Sequence, residues 1–181
     1  MRVISGSARG TKLNSIDDIS TRPTLDRVKE SLFNIINSKI EDSTILDLFA
    51  GSGAIGIEFL SRGCKKAYFC DKSSKAVEMI NINLEKTKLA QNAVVMNKDY
   101  IQCLNSLKSQ KIDIIFIDPP YKANIAVEAI KLFLSLKLLN EDGIIIVETD
   151  ELERELENFK KLDIEIYDCR KYGRANLIFL S

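Results

Sequence analysis

The chain has 181 residues, 45% of them hydrophobic and 29% charged, which suits one globular domain with a single sizeable core and excludes a disordered or fibrous chain. Basic and acidic residues balance at 26 each, so no global charge announces a polyanion partner. Histidine is absent, and Cys64, Cys70, Cys103 and Cys169 form no C-x-x-C pair, which removes histidine-based nucleophile schemes and a Cys/His zinc site.

The charge is unevenly spread. Residues 1–29 carry Arg2, Arg9, Lys12, Arg22, Arg27 and Lys29 against Asp17, Asp18 and Asp26; the segment 141–165 is acidic, and Arg170, Lys171 and Arg174 are basic again. Basic ends on a neutral chain can bind phosphates through a local patch. The opening residues lack the apolar stretch of a signal peptide, and runs such as Ile144–Val147 are too short to cross a bilayer. The expectation is a cytoplasmic protein with reduced thiols, no metal and no membrane partner.

In chain order, Arg2 to Ser5 reads as a short strand, with Gly6 and Gly10 turning the chain toward Lys12 and Leu13 in a small hairpin. Thr24 is placed to cap a helix in which Leu25, Val28, Leu32, Ile35 and Ile36 recur at helical spacing. From residue 44 strands and helices alternate. Strands are expected at 44–48, 66–70, 93–97, 112–117, 144–148, 164–169 and 175–180, and helices at 54–62, 74–86, 100–107, 125–137 and 152–159. Such alternation implies a mostly parallel sheet covered on both faces, and the short turn at Gly173 forces the last two strands into an antiparallel hairpin. The expected fold is α/β and Rossmann-like, seven-stranded, with a hairpin and helix as amino-terminal extension (1–40) to a ligand-binding core (41–181) in one domain. Ligands should lie beyond the carboxyl ends of the strands.

Gly51, Gly53 and Gly56 follow the first core strand in a G-x-G-x-x-G pattern, within a loop that includes Asp47, Phe49 and Ala50. The spacing alone fits a dinucleotide, and a nicotinamide dehydrogenase rests on it. The Asp47 carboxylate would repel a pyrophosphate, whereas it suits a ligand with an ammonium group and no phosphate, such as S-adenosylmethionine. Asp71 ends the next strand, twenty positions after Gly51, where a carboxylate can accept from both ribose hydroxyls; Lys72 adjoins it. Asp99 and Tyr100 follow the third strand, suited to an adenine amine and ring.

The most specific feature is Asp118-Pro119-Pro120-Tyr121 after the apolar strand 112–117. Two prolines stiffen the turn and remove two N–H donors. A carboxylate, free carbonyls and an aromatic face remain. An exocyclic base amine is conjugated with its ring and is a weak nucleophile; two acceptors on its hydrogens favour the geometry needed for attack. Asp118 and the Pro119 carbonyl form that pair, and Tyr121 can stack on the base. The base must be unpaired or flipped out of its helix. Guanine-N2 and adenine-N6 amines both satisfy these demands, so an adenine-N6 methyltransferase acting on DNA or RNA stays open, as does an inactive RNA-binding assembly factor.

The sequence also resembles the bacterial 16S rRNA guanine-N2 methyltransferases of the RsmD type. The resemblance is carried by residues 2–6, by Arg9-Gly10 and Lys12-Leu13, by 22–34, 46–54, 60–63 and 113–121, and by Lys171-Tyr172-Gly173. It implies a class I methyltransferase fold, S-adenosylmethionine as cofactor, and 16S rRNA in the 30S small subunit or an assembly intermediate as substrate. It implies that Asp118 to Tyr121 are catalytic and that Asp47, Gly51, Gly53, Asp71 and Asp99 bind cofactor. Arg9, Arg22 and Arg27 would face RNA, and Thr24 would help shape the substrate mouth; Lys12 is grouped with them. Asp71 stands where such proteins usually carry Glu.

Overall fold

The computed structural model describes residues 1–15, 23–120 and 124–181. Arg22 and Tyr121 therefore lie outside the described residues, as do the side chains of Thr24 and Leu25.

The strands are β1 Thr44–Leu48, β2 Lys66–Asp71, β3 Ala93–Asn97, β4 Ile112–Ile117, β5 Leu139–Thr149, β6 Ile166–Tyr172 and β7 Ala175–Leu180; the α-helices are α1 Pro23–Ile35, α2 Ala54–Ser61, α3 Ser74–Thr87, α4 Tyr100–Ser106, α5 Ile125–Ser135 and α6 Leu152–Phe159. They form one seven-stranded sheet in the order β3-β2-β1-β4-β5-β7-β6. The first five strands pair in parallel, and β7 runs antiparallel to both β5 and β6. The architecture is α/β and Rossmann-like, as the alternation predicted.

Most boundaries agree within one or two residues of the periodicity, and three of the differences have a clear cause. β5 begins at Leu139, because Leu139 pairs with Ile112 before the apolar run starts; polar Asn140 to Asp142 hid that half of the strand. The sixth strand spans 166–172 rather than 164–169, because pairing with β7 continues to Tyr172 opposite Ala175. Thr24 is the second residue of α1, which starts at Pro23. Proline suits the first helical position, since its missing N–H is not needed there.

Alternate strand residues feed two cores. Ile45, Phe69, Ile114, Phe116 and Ile146 pack with Ile57 and Phe59 of α2 and Ile80 and Leu84 of α3. Leu46, Leu48, Ile115, Ile117 and Val147 pack with Leu104 of α4, Ile130 and Phe133 of α5 and Phe159 of α6. Helix α1 joins the first core through Val28, Leu32 and Phe33, alongside Leu177 and Phe179 of β7. A Ser31–Tyr172 hydroxyl contact ties α1 to the β6–β7 hairpin.

The expected amino-terminal hairpin is present in short form: one antiparallel bridge between Arg2 and Lys12, with the Val3 N–H donating to the Thr11 carbonyl and the Leu13 N–H to the Met1 carbonyl, both at 3.0 Å. It is fastened by a polar cluster beneath it. Glu58 of α2 is fully buried and accepts from the Ile4 and Ser5 N–H groups at 2.8 and 2.9 Å. The same carboxylate pairs with Lys29 of α1 at 3.2 Å and with Arg62 at 2.9 Å. Burial lowers the Lys29 pKa, and the neighbouring Glu58 charge opposes that shift. Gly6 closes the joint: a Cβ there would meet the Ser61 carbonyl oxygen at 1.7 Å.

Candidate active site

The sheet reverses its winding between β1 and β4, and a doubly wound fold opens its crevice at that point. The carboxyl ends of β1, β2, β4 and β5 deliver Phe49, Asp71, Asp118 and Glu148 there. Two cavities result, of about 460 and 190 Å³, with Phe49 and Asp118 in the wall of both.

Phe49 is the hinge of the site. Its φ is +74°, a left-handed conformation that is costly for a bulky residue and that surrounding contacts must enforce. The N–H groups of Phe49 and Ala50 both donate to the Cys70 carbonyl at 3.0 and 2.9 Å. That pair turns the chain off β1 and directs the Phe49 ring into the crevice, 5.9 Å from the Tyr100 ring.

The glycines divide the work. Gly51, at φ +56°, has open space where a Cβ would project and lines the smaller cavity with Ala50. Gly56 lies against β2, where a Cβ would meet the Phe69 ring at 2.2 Å. Gly53 starts α2 at φ +77°, and its neighbours are Ile80 and Phe69 rather than the cavity. Asp47 is also turned inward: it is buried, and its Oδ2 accepts from the Gly56 N–H at 2.9 Å. Desolvation pushes its carboxyl up to about 7, against the pull of the Gly56 hydrogen bond. Asp47 is not among the residues lining either cavity, so here it holds the loop from behind.

The larger cavity is walled by Phe49, Asp71, Lys72, Asp99, Tyr100 and the Asp118–Pro120 turn, with Lys98 and Ile125 completing it. Asp71 accepts from the Gly51 N–H at 3.0 Å through Oδ2 and from the Ser73 N–H at 2.9 Å through Oδ1. These bonds aim it inward and leave lone pairs for hydroxyl donors. Asp99 caps α4, its Oδ1 accepting from the Gln102 N–H at 2.8 Å, so its second oxygen is available. Carboxylates at β2 and before α4, between Phe49 and Tyr100, suit a ribose and an aminopurine. Asp71→Ala is expected to raise the dissociation constant for S-adenosylmethionine about tenfold or more, the scale of a lost hydrogen bond to a charged group. Calorimetric titration reads this directly, and unchanged affinity would remove Asp71 from the site.

The smaller cavity lies between the glycine loop and α1, with Val28, Lys29 and Leu32 on one side and Phe116, Asp118 and Glu148 on the other. Asp118 is exposed to the crevice, yet protein crowds it on most sides. Desolvation first, then the Asp150 charge, pushes its carboxyl up to about 6. Solvent that still reaches the group moderates this shift. Glu148 is pushed up to about 8 by desolvation and then by Asp118. Sequence reasoning counted Glu148 only as part of an acidic segment. Its signal was positional: an acid directly after the buried run Ile144–Val147, at the carboxyl end of a core strand.

Arg9, Lys12 and Arg27 are all exposed, Arg9 and Lys12 on the hairpin and Arg27 on α1. None has an ion-pair partner among the described residues. The cysteines are free, with Cys64, Cys70 and Cys103 buried, and no helix of the described residues is long and apolar enough to cross a membrane.

Residues 1–181 match the family described as Conserved hypothetical protein 95. The chain is 38% identical to ribosomal RNA small subunit methyltransferase D of Haemophilus influenzae, over 83% of this chain and 79% of that one. It is 37% identical to the protein of the same name from Escherichia coli, over 83% and 75% of the two chains. Its fold superimposes on the solved structure of Escherichia coli yhhF with a TM-score of 0.83 at 31% identity, covering 99% of this chain and 96% of the other.

Proposed function

The chain belongs to the Conserved hypothetical protein 95 family, and from that membership we propose that it is a small-subunit ribosomal RNA methyltransferase that transfers a methyl group from S-adenosylmethionine to the N2 amine of a guanine in 16S rRNA. The observation that carries the reading is the place of Asp118. It stands in the wall of both cavities, where a donor on one side and an amine on the other would meet.

The residues present fit the cofactor. Asp71 and Asp99 offer acceptors to ribose hydroxyls and an adenine amine, and Phe49 and Tyr100 offer faces to the ring. The Gly51 N–H holds Asp71 in place for the ribose. When bound, S-adenosylmethionine supplies an electrophilic methyl on a positively charged sulfur, which leaves as a neutral thioether.

The chain's part is to hold the amine and to stabilise its charge. Asp118 and the Pro119 carbonyl accept the two N2 hydrogens, which frees the nitrogen lone pair from its ring. Positive charge would appear on N2 as it takes up the methyl group. The Asp118 carboxylate stabilises that charge and takes up the proton that N2 then loses. Alignment of amine, methyl and sulfur supplies much of the remaining rate. Tyr121 belongs to this reading as the face on which the base stacks.

Arg9, Lys12 and Arg27, with Arg22 and Thr24, belong to the proposed RNA side, with the amino-terminal extension over the substrate mouth. We place the reaction in the cytoplasm, on the 30S particle or an assembly intermediate. The test is labelled methyl transfer to small subunits that lack the modification, followed by nucleoside mass spectrometry. One N2-methylguanosine per particle is expected. Label in N6-methyladenosine, or none in RNA, would overturn the assignment.

A further inference from the structure

A base amine held by Asp118 leaves open how the site tells guanine from adenine. Beside its amine, guanine presents N1–H, a third donor in line with the two on N2. Adenine presents its N6 hydrogens flanked by the N1 and N7 lone pairs. An additional acceptor beside Asp118 would welcome the first pattern and oppose the second.

Glu148 is in that position. Ile117 and Val147 are partners in the β4–β5 ladder, so the residues that follow them, Asp118 just past β4 and Glu148 in β5, stand side by side at the carboxyl edge. Both line the cavity under α1. The two carboxyls sense each other electrostatically, and burial adds to that. The Glu148 side chain has neither a hydrogen bond nor an ion pair among the described residues; Lys29, the cation on the same cavity wall, is engaged by Glu58 and the Arg2 carbonyl. A partly buried carboxyl group without a partner, next to the amine site, becomes an acceptor once a donor such as N1–H draws it into the carboxylate form.

We propose that Glu148 accepts the N1–H of the target guanine next to the amine held at Asp118, and is thus the specificity-determining residue that rejects adenine. This deepens the guanine-N2 reading and rests on it. The carboxylate form meets guanine with two donors in line, N1–H and N2–H. Adenine would aim the N1 lone pair at a carboxylate oxygen, leaving a desolvated charge facing an acceptor.

The test uses small subunits whose 16S rRNA carries either guanine or 2-aminopurine at the methylated position. 2-Aminopurine keeps the amine but has a bare lone pair at N1. The wild-type chain is expected to prefer guanine by at least about tenfold in kcat/KM, the range for one base-edge contact. Glu148→Gln places an amide N–H before N1, and should shrink that preference at least about tenfold or invert it, with unchanged affinity for S-adenosylmethionine. Glu148→Ala should lose the preference without any gain on 2-aminopurine, and it serves if the glutamine variant fails to fold. The same guanine to 2-aminopurine ratio in the wild type and in either variant overturns the proposal. So does weakened cofactor binding in both variants, which would assign Glu148 to the cofactor's ammonium group. A wild-type chain that methylates adenine instead overturns the guanine-N2 reading itself, and this is seen before any variant is compared.

Discussion

Asp118→Ala is expected to lower kcat about a thousandfold, near the upper end for removing one group that stabilises transition-state charge. Cofactor affinity should stay within about threefold, because the residues proposed to meet ribose and adenine, Asp71 and Asp99, follow other strands. The reason is position. Among the described residues Asp118 is the one acid in the walls of both cavities, and a stiff diproline follows it. Asp118→Asn should lose less, since an amide oxygen still accepts one hydrogen but carries no charge. Single-turnover kinetics with radiolabelled cofactor, beside a binding titration, separate the two effects. Activity within a few-fold of the wild type in the alanine variant would end the catalytic assignment.

The pH dependence follows from the same group, and its sign is fixed. The Asp118 carboxyl is pushed up to about 6 and Glu148 up to about 8. In the proposed roles both act as carboxylates, so protonation removes acceptors and lowers the rate. The rate should therefore rise from about pH 5 toward pH 8 to 9, in steps that belong to the pair rather than to either residue alone. In Glu148→Gln the upper part of that rise should vanish, leaving a limb near pH 6 or below. A rate that falls across this range in the wild type would contradict both roles.

The second large effect is on stability. Glu58→Ala removes a fully buried carboxylate that holds Lys29, Arg62 and the N–H groups of Ile4 and Ser5. Breaking a buried ion pair by deleting one partner costs about 3–5 kcal/mol, because the other charge is left without compensation. For a chain of this size that corresponds to a fall in Tm of about 10 °C or more. Glu58→Leu combined with Lys29→Met should recover part of the loss, since the stranded charge goes with its partner. The Ile4 and Ser5 amides should exchange faster in Glu58→Ala. Methyl transfer to RNA should fall more than cofactor binding, because the network fastens the amino-terminal segment and α1 to the core. Thermal unfolding and hydrogen exchange read these outcomes, and a Tm within about 2 °C of the wild type would show that the network adds little.

Much of the site was legible because its residues follow the ends of strands. In a doubly wound fold the carboxyl end of each core strand faces the crevice, so Asp71, Asp99 and Asp118 could be picked out from strand boundaries alone. Asp47 shows where that logic stops. It too lies near a strand's end, but it is the fourth residue of β1, and the pleat turns its side chain inward to Gly56. One residue of phase separates a cavity wall from a loop anchor. Glu148 was hidden for a different reason: an acidic stretch around it made it look like solvated surface.

By itself, the sequence determined the alternation of strands and helices, the antiparallel close of the sheet, the glycine loop and the diproline turn, because each rests on local periodicity or on the backbone limits of glycine and proline. Only the tertiary structure decided that Glu148 stands beside Asp118, that Glu58 gathers Lys29 and the Ile4 and Ser5 amides, and that α1 roofs the smaller cavity. Those pairings span tens of residues in sequence. They arise from strand register and helix packing, where hydrophobic burial chooses the partners and the polar groups caught between must then find one another.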